Sequence, residues 1–268
     1  MKKVFNAIGI IGLVIISFVY TEKTVMVVRE YDEIMIKIKE QNNIPALDSK
    51  IDKDTIIPGI LEKKININES YRKMKQNGVY NEKLLVYEKI DNKGSLKNNY
   101  DKYIISGNKT KNMVSLIFVL DGNTDIEEIK KIIDNNEIKV TFAINNVWLE
   151  KNGDLLLSLA QKNHNFIIRD KNKHLNSVIK DVLKQKNYCF VSDKNKEFLK
   201  NCSKEKMNTI LVNTIDNNYL YETKKILDSG SLISYKVSNN LIDNLDIIIK
   251  YIKNKGFTIT NIVEHLEE

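Results

Sequence analysis

From Lys111 to the C-terminus short apolar runs alternate with stretches of helical character, and this rhythm restricts the fold more than any other feature of the 268-residue chain. The runs lie at Val114–Leu120, Val140–Ile144, Phe166–Ile168, Tyr188–Val191, Thr209–Val212, Leu232–Tyr235 and Phe257–Ile259. Between them Ile126–Asn135, Val147–Lys162, Leu175–Lys186, Lys194–Cys202 and Leu241–Lys255 read as helices. Alternation of this kind predicts an α/β fold with a parallel sheet or barrel over residues 111–268. Ligands on such folds bind beyond the carboxyl ends of the strands, so the residues just after each run are the places to look for chemistry.

The preceding residues divide by composition. Lys2 and Lys3 lead into Val4–Tyr20, which carries no charge and only Asn6 and Ser17 as clearly polar side chains. This run falls between a signal-peptide core and a full span of roughly 20 residues, and no small-x-small cleavage site or lipid-accepting cysteine follows it. Residues 1–22 therefore read as an uncleaved signal anchor, a single transmembrane helix with its two lysines held inside and the rest of the chain exported. Residues 23–54 read as a stalk and linker: Val25, Val28, Tyr31, Ile34, Met35 and Ile38 recur at helical spacing within Thr24–Gln41, and Asn42–Asp54 is polar and contains Pro45. Residues 55–110 read as a small accessory region opened by Pro58. Within it Asn68 or Ser70 is expected to cap a helix running through Tyr71 and Met74 to Gly78, ahead of a strand at Lys83–Tyr87.

Bulk properties exclude several classes. With 42% hydrophobic residues the chain can bury a real core, and with 29% charged residues it is not a multi-pass membrane protein. A formal net charge of +7 draws it towards polyanions without specificity. The lysines are spread among Asp and Glu, with no dense basic block interleaved with aromatics, so nucleic acid is not an expected partner. Cys189 and Cys202 are the two cysteines, and export would let them form a disulfide, although two unpaired buried thiols fit equally well. No second Cys or His lies close enough to either for a usual metal site.

The stretch Val114-Ser115-Leu116-Ile117-Phe118-Val119-Leu120-Asp121-Gly122-Asn123 resembles the first strand of the polysaccharide deacetylase family, which ends in Thr-Phe-Asp-Asp-Gly-Pro. Ile138–Ile144 resembles that family's second strand, and Leu155–His164 the helix leading into its Gly-His-Glu-Ile-Gly-Asn-His segment. The resemblance, specific from Met113 to His164, implies a distorted (β/α) barrel of the deacetylase type. It also implies hydrolysis of N-acetyl groups on peptidoglycan or chitin. In that chemistry a divalent metal polarises the amide carbonyl and activates water, a carboxylate takes a proton, and a histidine returns it to the leaving amine.

Carried across position by position, the resemblance puts the family's catalytic base at Leu120 and its metal ligands at Asp121, Arg169 and Lys173. An apolar side chain takes no proton, and two cations repel a divalent ion. The late Leu-Leu-His motif falls on Ser234-Tyr235-Lys236, and the Arg-x-Pro-Tyr motif has no counterpart near Tyr188–Asp193. A rescued metal site would use Asp121, His164 and His174, with Zn2+ as its ion. Asp121 would otherwise pair with Arg169 or Lys173 in place of a metal, or simply end its strand in a turn that caps the next helix. Trp148 and Tyr188 could stack on sugar rings, although a lone Trp opening a helix also suits a core. His265, within Glu264–Glu267, is expected to be exposed. The reading that follows is a membrane-anchored, extracytoplasmic deacetylase-like protein without hydrolytic activity or a metal cofactor, binding cell-wall glycan or an extracytoplasmic protein. Its rivals are an active metal-dependent N-deacetylase with a relocated site and an inert structural scaffold.

Overall fold

The computed structural model describes residues 2–268, with the side chains of 2–9, 27 and 29–32 left aside. The chain forms two compact units, Met1–Ala46 with Glu62–Asp91, and Leu47–Leu61 with Asn92–Glu268. The first five strands are β1 (Lys50–Asp52), β2 (Thr55–Ile57), β3 (Glu62–Ile65), β4 (Tyr87–Ile90) and β5 (Tyr103–Ile104). Of these, β3 and β4 belong to the first unit.

In that unit one helix, α1 (Lys2–Lys39), runs through the boundary expected at residue 22. Ile10, Leu13, Ile16 and Phe18 are exposed along it, whereas Ile34 and Ile38 are buried. Among the described residues no helix is long and apolar enough to cross a membrane, and the side chains of Lys2–Gly9, which open the expected anchor, lie outside them. Of the expected stalk stripe, Val25 and Val28 are exposed and Tyr31 lies outside the described side chains. Ile34 and Ile38 pack with Met74 of α2 (Ile67–Lys75), and β3 pairs antiparallel with β4. The cap of α2 is Asn66, whose side chain accepts the Glu69 N–H at 2.9 Å; neither Asn68 nor Ser70 serves. Ser70 is buried inside the helix, where its hydroxyl accepts the Val86 N–H at 2.9 Å. The strand expected at Lys83–Tyr87 is a 3-10 turn over Glu82–Leu84 followed by β4, because Leu84 and Leu85 pack onto the small core instead of entering the ladder.

The second unit carries the alternating pattern. It begins β6 (Met113–Val119), α3 (Glu127–Asn135), β7 (Thr141–Ile144), α4 (Asn146–Lys151), α5 (Gly153–Gln161) and β8 (Asn165–Ile168). Next come α6 (Lys173–Ser177), β9 (Tyr188–Val191), α7 (Lys196–Lys204), β10 (Asn208–Leu211), β11 (Thr214–Ile215) and α8 (Tyr219–Ile226). It ends with β12 (Leu232–Lys236), α9 (Asn239–Asn254), β13 (Thr258–Ile259) and α10 (Ile262–His265). All seven apolar runs are strands. The helix expected at Val147–Lys162 is broken at Asn152–Gly153, and that at Leu175–Lys186 is one α-turn followed by a π-turn over Val178–Val182.

The sheet order is β1-β2-β5-β10-β9-β8-β7-β6-β12-β11, with β13 beside β6. Strands β6 to β10 lie side by side in chain order and parallel, as right-handed crossovers dictate. The barrel expected from the sequence is thus a curled half-barrel. Residues 208–215 bend so that β10 pairs with β9 while β11 pairs with β12, which brings the two sides of the curl towards each other. Alternation along β6 sends Leu116, Phe118 and Leu120 to the helix-covered face and Ile117 and Val119 to the inner face, where they meet Ala143, Ile167 and Phe190. Strands β2 and β5 also join this sheet, Thr55 opposite Tyr103 and Tyr103 opposite Thr209, so the boundaries read at 54/55 and 110/111 do not coincide with the compact units. Those strands are too short to announce themselves, and their place is decided by pairing with β10. Cys189 of β9 and Cys202 of α7 form a disulfide, with Cα atoms 6.4 Å apart.

Candidate functional site

The mouth of the curl, at the carboxyl ends of β6, β7 and β8, holds the residues that carry the resemblance. Leu120 is still in the ladder, its N–H donating to Ala143 O at 2.9 Å, and its side chain is fully buried on the helix-covered face. Asp121 then turns out to solvent. Its N–H donates to Thr124 Oγ1 at 2.9 Å and its carbonyl accepts the Thr124 N–H at 2.8 Å, a tight strand-ending turn. It caps no helix, since α3 starts only at Glu127, whose N–H is accepted by Asp125 Oδ1 at 3.0 Å.

Arg169 leaves the end of β8 and reaches past β7 to the end of β6. Its N–H donates to Ile144 O at 3.0 Å, while Nη1 donates to Leu120 O at 3.0 Å and to Asp121 Oδ1 at 2.7 Å. The side chains are 27% exposed for Arg169 and 61% for Asp121, so the pair is weak as a source of stability but occupies the carboxylate. The cation sits where the resemblance places a metal ligand. Lys173 and His174 do not join it: Asn172 Oδ1 accepts the Leu175 N–H at 3.1 Å to start α6, and both side chains stand exposed on the first turn of that helix.

The alternative ligand set of Asp121, His164 and His174 is overturned by topology. His164 precedes β8 and Asp121 follows β6, and parallel strands put these positions at opposite ends of the sheet. His164 is buried, its Nδ1 accepting the Val140 N–H at 3.2 Å, and burial lowers its pKa from 6.5 to about 4. Among the described residues no group of three or more His, Cys, Asp or Glu could hold a metal ion. The residues that the resemblance puts at ligand positions, one carboxylate already paired with Arg169 and two cations, do not fit a divalent metal.

Trp148 and Tyr188 are also corrected. Trp148, 0% exposed, stands in α4, whose cap Asn145 accepts the Trp148 N–H at 2.9 Å. Its ring lies 6.4 Å from that of Phe166 and its indole N–H donates to Thr124 O at 3.3 Å. Tyr188, 1% exposed, lies in the inner core, where burial pushes its hydroxyl pKa up. Neither ring can stack on a sugar, because each sits on a face covered by the fold. Residues whose role the sequence did not announce include a chain of hydroxyls, Ser192 just past β9, Thr214 of β11 and Ser234 of β12, with Ser192 Oγ 2.8 Å from Thr214 Oγ1 and Thr214 Oγ1 3.1 Å from Ser234 Oγ. Ser192 follows an apolar run and Ser234 lies within one, the one signal that could have marked them; Thr214 stands outside the runs.

His265, expected in an exposed tail, is 0% exposed. Its Nδ1 lies 2.8 Å from Ser115 Oγ, which also donates to Thr260 O at 2.8 Å, and burial lowers its pKa to about 4. The signal for burial was present: Asn261 caps α10 by accepting the Glu264 N–H, and Ile262, His265 and Leu266 then share one face. Gly107 makes this packing possible, because a Cβ there would stand 2.2 Å from His265 Nε2. Gly107→Ala is expected to destabilise the second unit by about 1–3 kcal/mol through overpacking, read as a shift in urea midpoint at unchanged slope.

No model of a known protein family matches the chain. It is 28% identical over 267 residues to the uncharacterized protein YlxY of Bacillus subtilis, covering 89% of this chain and 83% of that protein. Among solved structures it superposes on BA3943, a CE4 family pseudoenzyme from Bacillus anthracis, with a TM-score of 0.63 and 21% identity over 89% of this chain and 95% of that one. A BA3943 mutant with restored enzymatic activity superposes equally well, with a TM-score of 0.63 over 98% of its chain. PdaA of Bacillus subtilis, a family 4 carbohydrate esterase, superposes with a TM-score of 0.50 and 14% identity, covering 67% of this chain and 90% of that one. The chain therefore has the fold of the family 4 carbohydrate esterases, the polysaccharide deacetylase fold.

Proposed function

We propose that this chain is a membrane-anchored, extracytoplasmic protein of the deacetylase fold that has lost hydrolysis and acts by holding cell-wall glycan or an extracytoplasmic protein. The observation that carries this reading is the Arg169 guanidinium 2.7 Å from the Asp121 carboxylate. Arginine keeps its charge at any working pH, so the pair cannot dissociate by deprotonation to admit a dication. With Leu120 at the base position nothing in that place takes a proton from water, and general-base catalysis alone supplies about 10²–10⁴-fold in rate. BA3943, described as a CE4 family pseudoenzyme, supports the view that this barrel is retained without chemistry.

The anchor rests on the composition of Val4–Tyr20 and on the exposure of Ile10, Leu13, Ile16 and Phe18 along α1, side chains whose transfer from water to lipid is favourable. The purified chain is expected to hold less than a stoichiometric amount of Zn2+ and to release no acetate from N-acetylated peptidoglycan, yet to sediment with peptidoglycan. Stoichiometric zinc together with acetate release would return the chain to the active deacetylases. Failure to sediment, with no acetate released, would remove glycan as the partner and leave an extracytoplasmic protein partner or an inert scaffold.

A further inference from the structure

The floor of the curl, at the end of the strands opposite the Asp121–Arg169 pair, is closed by residues 260–268, and the strands hold this segment much as a protein holds a bound peptide. Near the start of three successive strands one polar side chain bonds to its backbone. Ser115 of β6 donates to Thr260 O at 2.8 Å, Thr141 of β7 accepts the Ile262 N–H at 2.9 Å, and Asn165 of β8 accepts the Val263 N–H at 3.2 Å. Asn261 adds a bond from its Nδ2 to Asn163 O at 2.9 Å, and the Glu268 carboxylate accepts the Leu96 N–H at 2.9 and 3.0 Å. Ile262 and Leu266 belong to the same buried cluster as Ile117 and Ile167.

Of the four titratable side chains in this segment only His265 is buried. Ser115 has a single hydroxyl proton and a carbonyl can only accept, so that proton goes to Thr260 O, and the 2.8 Å contact with His265 Nδ1 is a bond from the ring to the serine. Nδ1 therefore carries the hydrogen of the neutral ring. Nε2 points at the backbone of Gly107, where a Cβ would stand 2.2 Å from it, and it has no hydrogen-bond partner among the described residues. A second proton can enter only at Nε2, and there it makes a buried charge and a donor without an acceptor. No carboxylate acts on the ring to offset that cost. Gly107, Ser115 and Thr260 are uncharged, Lys111 acts on it with the same sign, Glu264 is held by Lys139, and Glu268 is held by Leu96.

We infer that residues 260–268 form an acid-released strap, with His265 as the catch that lets it leave the floor of the curl while the strands stay paired. Beyond Thr260 the segment stands in no strand ladder, and side-chain bonds with two apolar anchors hold it, so its release costs less than opening the sheet. The ring takes its proton near pH 6.5 when free and only at about 4 when docked. Because the docked pKa is the lower one, the advantage of docking is complete above pH 6.5, falls as pH drops through that window, and is not reduced further below about 4 by this group. From pH 7 to pH 5 this one group raises the ratio of released to docked strap about twentyfold. Release uncovers Ile117 and Ile167 and gives the curl a second opening, at the end away from its mouth.

The test is hydrogen exchange read by mass spectrometry on the full 268-residue chain in detergent at pH 7 and pH 5, with each rate corrected for the intrinsic pH dependence of amide exchange. Each pH is repeated in urea below the unfolding transition. Amides of residues 261–268 are expected to exchange faster than those of β9 and β10, at a rate that low urea leaves unchanged. Their released fraction should rise about twentyfold from pH 7 to pH 5. In H265N, whose carboxamide keeps a donor for Ser115 and takes no proton, the strap should open equally at both pH values. Strap amides that exchange only with those of β9 and β10, and faster in urea, would overturn the proposal, since the segment would then leave only with the sheet. A wild-type strap that opens equally at both pH values, or a twentyfold rise kept in H265N, would overturn it as well. The urea and pH comparisons on the wild type decide the matter even if H265N does not fold.

Discussion

Acidification from pH 7 to pH 4 is expected to destabilise the second unit steeply, with most of the loss falling between pH 6.5 and pH 4. Two histidines cause it. His164 and His265 are buried neutral, and burial holds each pKa at about 4 against an ordinary value of 6.5. The charges that face them are few: Asp134 favours the charged form of His164 while Lys162 opposes it, and Lys111 opposes the charged form of His265. Because the folded pKa is the lower one, the unfolded chain binds protons first as pH falls. The stabilisation is complete above pH 6.5, is lost through the window down to about pH 4, and does not fall further below it from these groups. With 1.36 kcal/mol for each pH unit, the two groups together remove on the order of 5 kcal/mol, a large part of a typical domain's stability. Protonation of His164 also removes the acceptor of the Val140 N–H. Thermal unfolding followed at steps between pH 7.5 and pH 4 checks this. The double variant H164N/H265N, which places no titrating group at either position, should flatten the curve in that window; a curve as steep as that of the wild type would show that other groups cause the loss.

Replacing Trp148 with alanine is expected to lower stability by about 3–5 kcal/mol and the unfolding temperature by roughly 10 °C. The ring has no exposed surface, packs on Phe166 and donates its N–H to Thr124 O, so its removal opens a cavity and leaves that carbonyl without its partner. This outcome separates a core role from a sugar-stacking one. A Trp148→Ala protein that melts like the wild type but no longer sediments with peptidoglycan would mean that the ring reaches glycan after all.

Much of the second unit was legible from period alone. Each of the seven apolar runs is a strand because seclusion of a short run from water on both faces leaves few alternatives, and the intervening stretches cross over as helices. Asn145, Asn172, Asn195 and Ser238 cap the helices that follow strands β7, β8, β9 and β12, a local chemistry that any reading of the chain can find. The residue types at the mouth were equally plain. Leu120 takes no proton and Arg169 binds no metal in any fold.

What the amino-acid sequence determined by itself was therefore the class of fold and the residue types at the ends of its strands, all properties of residue type and near-neighbour spacing. Tertiary structure alone decided which groups meet. It brought Arg169 across β7 onto Asp121, set His164 at the far end of the sheet from Asp121, enclosed Trp148 and Tyr188, and joined Cys189 to Cys202. Those outcomes depend on strand order, on which face each residue takes in the pleat, and on pairing between segments far apart in the chain, and no local pattern encodes them.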